Sequence, residues 1–440
     1  MTDTVTPASV FSPPQKVHIA IIGLGYVGLP LAVEFAKKYP VWGFDISAER
    51  ISELRRGHDR TLEIAQDELT SVLNRQQAGL QLTSKPEDIR ACNVYIVSVP
   101  TPTDRHNRPD LSLIEKASET VAGVLKQDDV VIYESTVYPG VTEEVCVPIL
   151  ERVSGLKFNE GFFAGYSPER INPGDKVHTL TNILKITSGS TPGAADFIDD
   201  LYRSIITAGT HKAPSIKVAE ASKVIENAQR DINIAFVNEL SKIFNLLGID
   251  SNDVLEAAGT KWNFLKFKPG LVGGHCTGVD PYYLAQKAQE VGYHPEIILA
   301  GRRLNDGMGT YVALEVIKLM VKNSIPVKNA DVLVLGFTFK ENCPDVRNTR
   351  VIDIIKVLDE FETAYEVYDP WANPAEVSVK YGIKTIADRQ QLKHKYDAII
   401  VAVAHNEFLT LDYTSLKRSD NSVLYDLKGL LNRDIISGRL

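Results

Sequence analysis

The stretch that decides the fold reads Val17-His18-Ile19-Ala20-Ile21-Ile22-Gly23-Leu24-Gly25-Tyr26-Val27-Gly28. Its first six residues form a short β-branched apolar run, which predicts a buried parallel strand. The glycines follow at once and open a helical pattern over Leu29 to Lys38. A second predicted strand, Val41 to Phe44, ends in Asp45, at about the twenty-residue spacing of a dinucleotide-binding βαβ unit.

Each glycine has a separate task in such a unit. Gly23 would make the turn, Gly25 would admit a pyrophosphate to the backbone, and Gly28 would let helix pack on strand. Asp45 would accept hydrogen bonds from the adenosine ribose and repel a 2′-phosphate, which favours NAD over NADP. Arg50 is a further candidate cofactor contact, and it weakens that preference slightly. The alternatives are a plain tight turn and a solvated carboxylate.

Outward from this stretch, further apolar runs at 94–99, 130–133 and 162–164 alternate with helical patterns. The pattern changes over Lys217 to Leu247, which contain no Gly or Pro and place apolar residues at helical spacing. We expect one helix of about thirty residues, roughly 45 Å long, that links domains and packs a homodimer. A second alternating series begins at Asp331.

The predicted fold class is α/β, with two Rossmann-like doubly wound domains joined by a long central helix and a helical middle region. The expected divisions are a disordered tail over 1–15, a dinucleotide-binding domain over 16–212, a central helical region over 213–322, and a smaller α/β domain over 323–440.

Composition excludes several classes of protein. A net charge of −8 and a pI near 5.7 provide no basic field for nucleic acid. No run approaches eighteen apolar residues and the first sixteen lack a secretory pattern, so we expect no membrane span and a cytoplasmic protein. The 4 cysteines are far apart without a CxxC pair, which argues against disulfides and a metal site.

The run Gly273-Gly274-His275-Cys276-Thr277-Gly278 carries a candidate nucleophile. Its glycines would leave room for a substrate carbon at the Cys276 thiol. Asp280-Pro281 predicts a helix N-cap followed by the first helical residue, and a nearby helix N-terminus favours a thiolate. The alternatives are a buried inert cysteine or a redox-regulatory thiol, with Asp280 acting only as a cap. His275 is a weak candidate base, because adjacent loop residues tend to point apart.

Lys223 and Asn227 are four residues apart on the long helical stretch and share one face. A lysine charge beside an amide donor is what an oxyanion requires. A solvated pair without function would have the same spacing.

Taken together, these features resemble the UDP-glucose/GDP-mannose dehydrogenase family, and the resemblance runs from Lys16 to the end of the chain. Its motifs occur in order at 23–28, 99–103, 134–140, 167–170, 219–227, 273–276 and 336–347.

The resemblance implies roles for individual residues. Thr101 and Thr136 would border the nicotinamide, Arg347 would face the cofactor, and Glu169 would orient or activate water. A surface glutamate after proline would look like Glu169. The domain over 323–440 would bind the UDP-sugar. The implied substrate contacts are Glu169, Arg170, Lys223, Asn227, Phe264, Leu265, Gly273, Arg302 and Lys340, with Arg302 reaching the sugar of its own or a partner subunit.

The implied reaction is a four-electron oxidation of the C6 hydroxyl by two NAD in succession, through a Cys276 thioester whose oxyanion Lys223 and Asn227 stabilise. Asp280 or Glu169 would activate the hydrolytic water. After the cysteine, the run from Thr277 to Tyr283 replaces the Phe-Pro-Lys-Asp common in UDP-glucose members. This resembles the UDP-N-acetylglucosamine/galactosamine branch of bacterial surface-polysaccharide pathways. A UDP-N-acetylmannosamine or UDP-glucose dehydrogenase, or a non-catalytic nucleotide-sugar sensor, remains the alternative.

Overall fold

The computed structural model describes residues 11–75, 77–104, 108–171, 179–274, 277–392 and 395–440. They form two compact units that meet at Glu226 and Asn227 in the sequence. Within the described ranges, no helix has both the length and the apolar character that a bilayer span requires.

The first unit is built on a six-stranded parallel sheet in the order β3-β2-β1-β4-β5-β6. Its central strands are buried on both faces, as their β-branched apolar sequences require. The strands are β1 Ile19–Ile22, β2 Pro40–Phe44, β3 Gly79–Thr83, β4 Val94–Val97, β5 Asp129–Tyr133 and β6 Phe162–Tyr166, with a separate pair β7 Lys185–Thr187 and β8 Thr210–Lys212. The helices are α1 Gly28–Ala36, α2 Ala48–Arg55, α3 Gln66–Leu73, α4 Ser112–Ala122, α5 Val147–Ser154 and α6 Pro192–Arg203.

The predicted disordered tail is too long. Phe11 is buried, and its ring lies 4.8 Å from that of Phe163 and 5.6 Å from that of Phe197, measured between centroids. Its side chain packs over Gly193, the second residue of α6. A single large aromatic side chain can thus order a Pro-rich segment that composition alone makes look disordered.

The second unit repeats the sheet topology, in the order β11-β10-β9-β12-β13-β14. Its strands are β9 Asp331–Leu335, β10 Ala364–Tyr368, β11 Thr385–Ile386, β12 Ala398–Val401, β13 Val423–Asp426 and β14 Gly438–Arg439. The helices are α8 Ser251–Ala258, α9 Asp280–Glu290, α10 Glu296–Asp306, α11 Met308–Lys322, α12 Val351–Glu360, α13 Pro374–Tyr381 and α14 Tyr413–Leu416. The two Rossmann-like folds are therefore as predicted.

The long helix, α7 Ile216–Leu247, has 32 residues, close to the predicted length. The compact units divide within it, whereas the sequence placed a boundary before it. Ile216 and Ala219, in its first turns, belong to a hydrophobic core of the first unit, which explains the difference.

Candidate active site

The glycine-rich loop of the first unit has the geometry that its three glycines predict. Gly23 adopts φ +94°, which only glycine takes up without strain. A Cβ on Gly28 would overlap the carbonyl oxygen of Gly23, so this glycine lets α1 begin against the loop. Gly25 is exposed, and no atom lies within 4 Å of where its Cβ would be. The loop therefore leaves open space at a helix N-terminus, where an anion is favoured.

Asp45 lies beside this loop at the end of β2. Its Oδ2 accepts the N–H of Leu24 at 3.0 Å, and its Oδ1 accepts the N–H of Ser47 at 2.9 Å. The side chain is half-exposed, and a carboxylate has further lone pairs to offer. These features fit the ribose of a dinucleotide.

Arg50 is buried, and its guanidinium supports the loop. Nε donates to the carbonyl of Leu24 at 3.0 Å, while Nη1 and Nη2 pair with Glu53 and Asp59 at 3.1 and 2.7 Å. Two carboxylates already balance this charge, so its presence no longer weakens the preference for NAD. A direct contact between Arg50 and the cofactor remains a prediction.

Thr101 and Thr136 lie together where β4 and β5 end. The Thr101 hydroxyl donates to the Thr136 carbonyl at 2.5 Å, and both side chains are half-buried. The carboxyl ends of neighbouring parallel strands are where doubly wound folds bind ligands. Their predicted place at a nicotinamide is consistent with this position.

Glu169 is buried in a polar cluster rather than on the surface. Its Oε1 accepts the N–H of Arg170 at 2.5 Å and also that of Ile171. Its Oε2 has no hydrogen-bond partner among the residues that the structure describes, and the Lys185 ammonium lies 3.9 Å away. Lys185 is held by Glu134 at 2.8 Å. In this arrangement Oε2 could accept a hydrogen bond from a water or from a hydroxyl group.

Glu134 belongs to the same cluster, and the sequence assigned no role to it. Burial raises the pKa of Glu134, although the Lys185 ammonium opposes the shift. The Tyr202 hydroxyl also donates to Glu134. Only the residue order Glu134-Ser135-Thr136 hinted that this carboxyl lies near the site.

Arg170, a predicted substrate contact, makes an ion pair within the first unit. Its Nη2 lies 2.5 Å from Glu226 on α7, and Nη1 donates to the Leu184 carbonyl at 2.9 Å. These partners occupy much of the guanidinium, and its contact with substrate remains a prediction.

Glu220 on α7 is a second buried carboxyl without a predicted role. It accepts the N–H groups of Gly140 and Thr142 at 2.5 and 2.9 Å. Burial raises its pKa to about 7, although these bonds favour the charged form. Glu220 therefore ties the start of α7 to the loop that carries Thr136.

Lys223 and Asn227 are both buried one turn apart on α7, so neither belongs to a solvated face. The Asn227 amide donates to Asp280 Oδ2 at 2.5 Å. Asp280 is the first residue of α9, and Val279 is the N-cap, so the predicted capping role of Asp280 is wrong. Its fully buried carboxylate instead faces the amide of α7, which favours a chemical role.

Cys276 and His275 lie outside the described residues. Two other cysteines are chemically quiet, because burial raises the pKa of Cys92 and of Cys146 to about 12. Both remain neutral thiols at physiological pH and are poor nucleophiles.

The two glycines before the cysteine have a packing reason of their own, and the interpretation that they make room at the Cys276 thiol stays a prediction. A Cβ on Gly273 would lie 2.6 Å from the Asn348 carbonyl oxygen. A Cβ on Gly274, which has φ +85°, would lie 2.8 Å from the Phe339 ring. The chain thus presses against the segment that follows β9. A Cβ on Gly278 would make only ordinary contacts, the nearest at 3.5 Å from the Gly274 carbonyl oxygen, so packing alone does not require glycine there.

Gly273 also lines a cleft of the second unit at the carboxyl ends of its strands. The other residues of this wall include Thr338, Lys340, Arg350 and Lys428. Lys340 and Lys428 bring positive charge to this wall, whereas the Arg350 guanidinium is already paired with Asp306 and Asp353. Positive charge of this kind suits a diphosphate. Phe264 is half-buried and Leu265 is 58% exposed, so the latter has surface to offer a ligand.

Two arginines do not have the surroundings that the sequence led us to expect. Arg302 is only 1% exposed and pairs with Asp231 at 2.6 Å and with Asp306. Because its guanidinium is enclosed within its own unit, this arrangement does not support contact with a sugar in its own or a partner subunit. Arg347 makes a bidentate pair with Asp345, and its predicted contact with the cofactor remains a prediction.

Comparisons with known proteins agree with these features. The UDP-glucose/GDP-mannose dehydrogenase family matches with its NAD binding domain at 17–206, its central domain at 217–307 and its UDP binding domain at 333–433. UDP-N-acetyl-D-glucosamine 6-dehydrogenase of Pseudomonas aeruginosa is 59% identical over 96% of this chain and 98% of its own. The enzyme of that name from Salmonella typhi is 58% identical over 95% and 97%. The UDP-D-ManNAc dehydrogenase structure from Pyrococcus horikoshii superposes with a TM-score of 0.86 at 30% identity, covering 96% of this chain and 98% of that one.

Proposed function

The chain belongs to the UDP-glucose/GDP-mannose dehydrogenase family, and on this premise we propose that it oxidises the C6 hydroxyl of UDP-N-acetyl-D-glucosamine to the carboxylate. The observation that carries the proposal is the near full-length identity to two enzymes of that name. The uronic acid product would serve bacterial surface-polysaccharide synthesis. UDP-N-acetylgalactosamine, which differs at C4, is the second candidate substrate.

NAD supplies the hydride acceptor, and the geometry of the first unit fits it. The open loop at Gly25 would take the pyrophosphate, and the half-exposed carboxylate of Asp45 would take the ribose. Thr101 and Thr136 would border the reacting ring. Overall, one alcohol and one water give a carboxylate, with two hydrides to two NAD and three protons to solvent.

The remaining roles fall to groups that are buried. In the first oxidation a base takes the C6 hydroxyl proton, and Glu169 could do so through water because its Oε2 has no hydrogen-bond partner among the described residues. The Cys276 thiolate then adds to the aldehyde. Lys223 and Asn227 would stabilise the oxyanion of that adduct, and a second oxidation would leave a thioester. Asp280, held by Asn227, would activate the water that hydrolyses it.

The test is the yield of NADH per UDP-N-acetyl-D-glucosamine consumed. We expect two, and a yield of one would overturn the acid-forming reaction. A panel with UDP-N-acetylgalactosamine, UDP-N-acetylmannosamine and UDP-glucose would rank the substrates. Complete inertness towards every member would favour the nucleotide-sugar sensor. Cys276→Ser should abolish acid formation while NAD binding, measured by calorimetry, stays at the wild-type value.

We also propose a homodimer through α7. Its later turns expose apolar side chains that a monomer would leave in water, namely Phe236 at 55%, Leu246 at 89% and Leu247 at 63%. Phe236→Glu combined with Leu246→Glu should convert a dimer to a monomer in sedimentation analysis. A wild-type monomer at micromolar concentration would refute the proposal.

A further inference from the structure

The segment between α8 and α9, residues 259–279, contains no helix or strand in its described part. It carries three residues of the predicted substrate site: Phe264, Leu265 and Gly273. A segment without regular structure must satisfy its backbone polar groups through side chains or water. The side chains that do so decide where the segment lies.

Asn238 on α7 satisfies the backbone polar groups of Gly270. Its Nδ2 donates to the Gly270 carbonyl at 3.0 Å, and its Oδ1 accepts the Gly270 N–H at 2.8 Å. One side chain thus pairs with both polar groups of one residue, as a neighbouring β-strand would. Asn238 is fully buried, so water cannot replace these two bonds at low cost.

The orientation of this amide is fixed by a buried network behind it. Asn238 Nδ2 also donates to Asn305 Oδ1 at 2.8 Å. The Asn305 amide in turn donates to Asp231 Oδ1 at 2.7 Å, and Asp231 is paired with Arg302. A flipped amide would turn a donor towards the Gly270 N–H and an acceptor towards its carbonyl. The hydrogen-bond network that begins at Arg302 and runs through Asp231, Asn305 and Asn238 therefore ends at Gly270.

Gly270 is close to the cationic cleft. A Cβ on Gly270 would lie 3.2 Å from Lys428 Nζ, and Lys428 lines the cleft with Gly273. Further along, the Asn348 amide donates to the Gly274 carbonyl at 3.2 Å. Residues 270–274 are thus held at both ends, and Cys276 follows two residues later in the sequence.

We propose that Asn238 is a positioning residue, which holds residues 270–274 in the one placement where Gly273 forms the cleft wall and the following residues enter the reaction. The proposal rests on the proposed function for the identity of the ligand, a uridine diphosphate sugar. Asn238 itself lies behind the loop and would touch neither substrate nor cofactor.

The test compares Asn238→Ala with the wild type in two measurements. Binding of UDP alone, by calorimetry, should weaken about tenfold, because the loop no longer has one placement. In steady-state kinetics the KM for the UDP-sugar should rise and kcat should fall. The KM for NAD should stay within about twofold, since the NAD site belongs to the other unit. Asn238→Ser, with a shorter hydroxyl that cannot make both bonds, covers the case in which the alanine variant does not fold.

Two controls separate positioning from general destabilisation. Val316→Ala opens a cavity in a core of the second unit and removes no hydrogen bond to the loop, and Asn233→Ala removes an amide that, among the described residues, bonds only within α7. Val316→Ala should lower Tm without changing UDP affinity, and Asn233→Ala should change neither. Equal UDP affinities for Asn238→Ala and Val316→Ala would overturn the proposal. A wild type that forms no NADH with any UDP-sugar would instead refute the proposed function, and UDP calorimetry would still test the role of Asn238.

Discussion

In both units the first strand is followed by a glycine of positive φ, Gly23 at +94° and Gly336 at +92°. Each glycine donates its N–H at 2.8 Å to the last residue of the second strand, and an aspartate follows that residue, Asp45 or Asp369. Beyond these shared features the units differ. Helix α1 begins at Gly28, directly after the first loop, whereas α12 begins only at Val351. The first unit can therefore offer a phosphate a helix N-terminus directly after the glycine, whereas in the second unit the start of α12 reaches the cleft wall only after a longer connection, together with Lys340 and Lys428.

The two aspartates differ in the same way. Asp45 is half-exposed with two backbone partners, whereas Asp369 is fully buried. The Asp369 carboxylate accepts the N–H groups of Phe337, Thr338, Trp371 and Ala372 and faces His405 at 3.2 Å. The same topology thus holds a half-exposed carboxylate in the first unit and a fully buried structural carboxylate in the second. Strand order alone does not decide which nucleotide a unit binds.

The largest expected effect concerns Asp369, the fully buried carboxylate of the second unit. Asp369→Ala leaves four backbone N–H groups without their acceptor, and should lower the free energy of unfolding by about 4 kcal/mol. Asp45→Ala should lower the free energy of unfolding by only about 1 kcal/mol. It should, however, weaken NAD binding and reduce the preference for NAD over NADP. Urea denaturation and calorimetry check both. If the two variants lost similar amounts of unfolding free energy, the contrast between a buried structural Asp369 and a half-exposed Asp45 would be wrong.

Substitutions at two glycines of the first unit, Gly28 and Gly25, should separate an effect on folding stability from an effect on NAD binding. Gly28→Ala places a Cβ against the Gly23 carbonyl and should cost about 3 kcal/mol of unfolding free energy. Gly25→Ala meets no atom, so its stability should stay within about 0.5 kcal/mol of the wild type. Its NAD affinity should nevertheless fall about tenfold or more, because the methyl group takes the space of the pyrophosphate. Undiminished NAD binding by Gly25→Ala would mean that the pyrophosphate lies elsewhere.

Buried carboxyls in the two units should respond to pH in opposite directions. Burial raises the pKa of Glu220 to about 7 from 4.5, so its contribution is complete below pH 4.5 and is lost as pH rises through 7. Burial also opposes the charge of Asp369, but hydrogen bonds from His405 and backbone N–H groups outweigh it and lower the pKa. The contribution of Asp369 is present above pH 3.8 and is lost in acid.

Glu220→Gln tests the first of these dependences. Between pH 5 and 8 the wild type should lose about 2 kcal/mol of unfolding free energy through this carboxyl, and the glutamine variant should not. Unfolding at both pH values is the measurement. The variant should be less stable at pH 5, since one of the two N–H groups then meets an amide NH2. An identical pH dependence in both proteins would exclude Glu220 as the cause.

The smallest expected effect concerns the cationic cleft of the second unit. Lys340→Met should weaken UDP binding about tenfold, or about 1.4 kcal/mol, and make the remaining affinity less sensitive to salt. NAD affinity should be unchanged, because the cofactor belongs to the other unit. A loss of NAD affinity instead would contradict the division of the two ligands.

Local patterns predicted much of the fold. The strands at 41–44, 130–133 and 364–368 and the long helix appear within about two residues of the expected bounds. A short β-branched apolar run indicates a buried parallel strand, and an uninterrupted helical period indicates a long helix. Six strands were missed: β3, β7, β8, β11, β13 and β14. Four of them, β7, β8, β11 and β14, have only two or three residues, which carry no period, but β3 and β13 are longer and were overlooked. Phe11 was misjudged for a related reason: its ordering comes from distant Phe163 and Phe197.

The sequence by itself determined the dinucleotide loop, the duplicated fold and the candidate residues, because glycine conformation, strand burial and motif order are local properties. Only the tertiary structure decided which polar groups are enclosed. It sealed Asp369 while leaving Asp45 open, enclosed Arg302, and paired Asn227 with Asp280. It also brought Asn238 to Gly270, 32 residues away. Such pairings depend on which chain segments meet in three dimensions, and no periodicity within one segment records that.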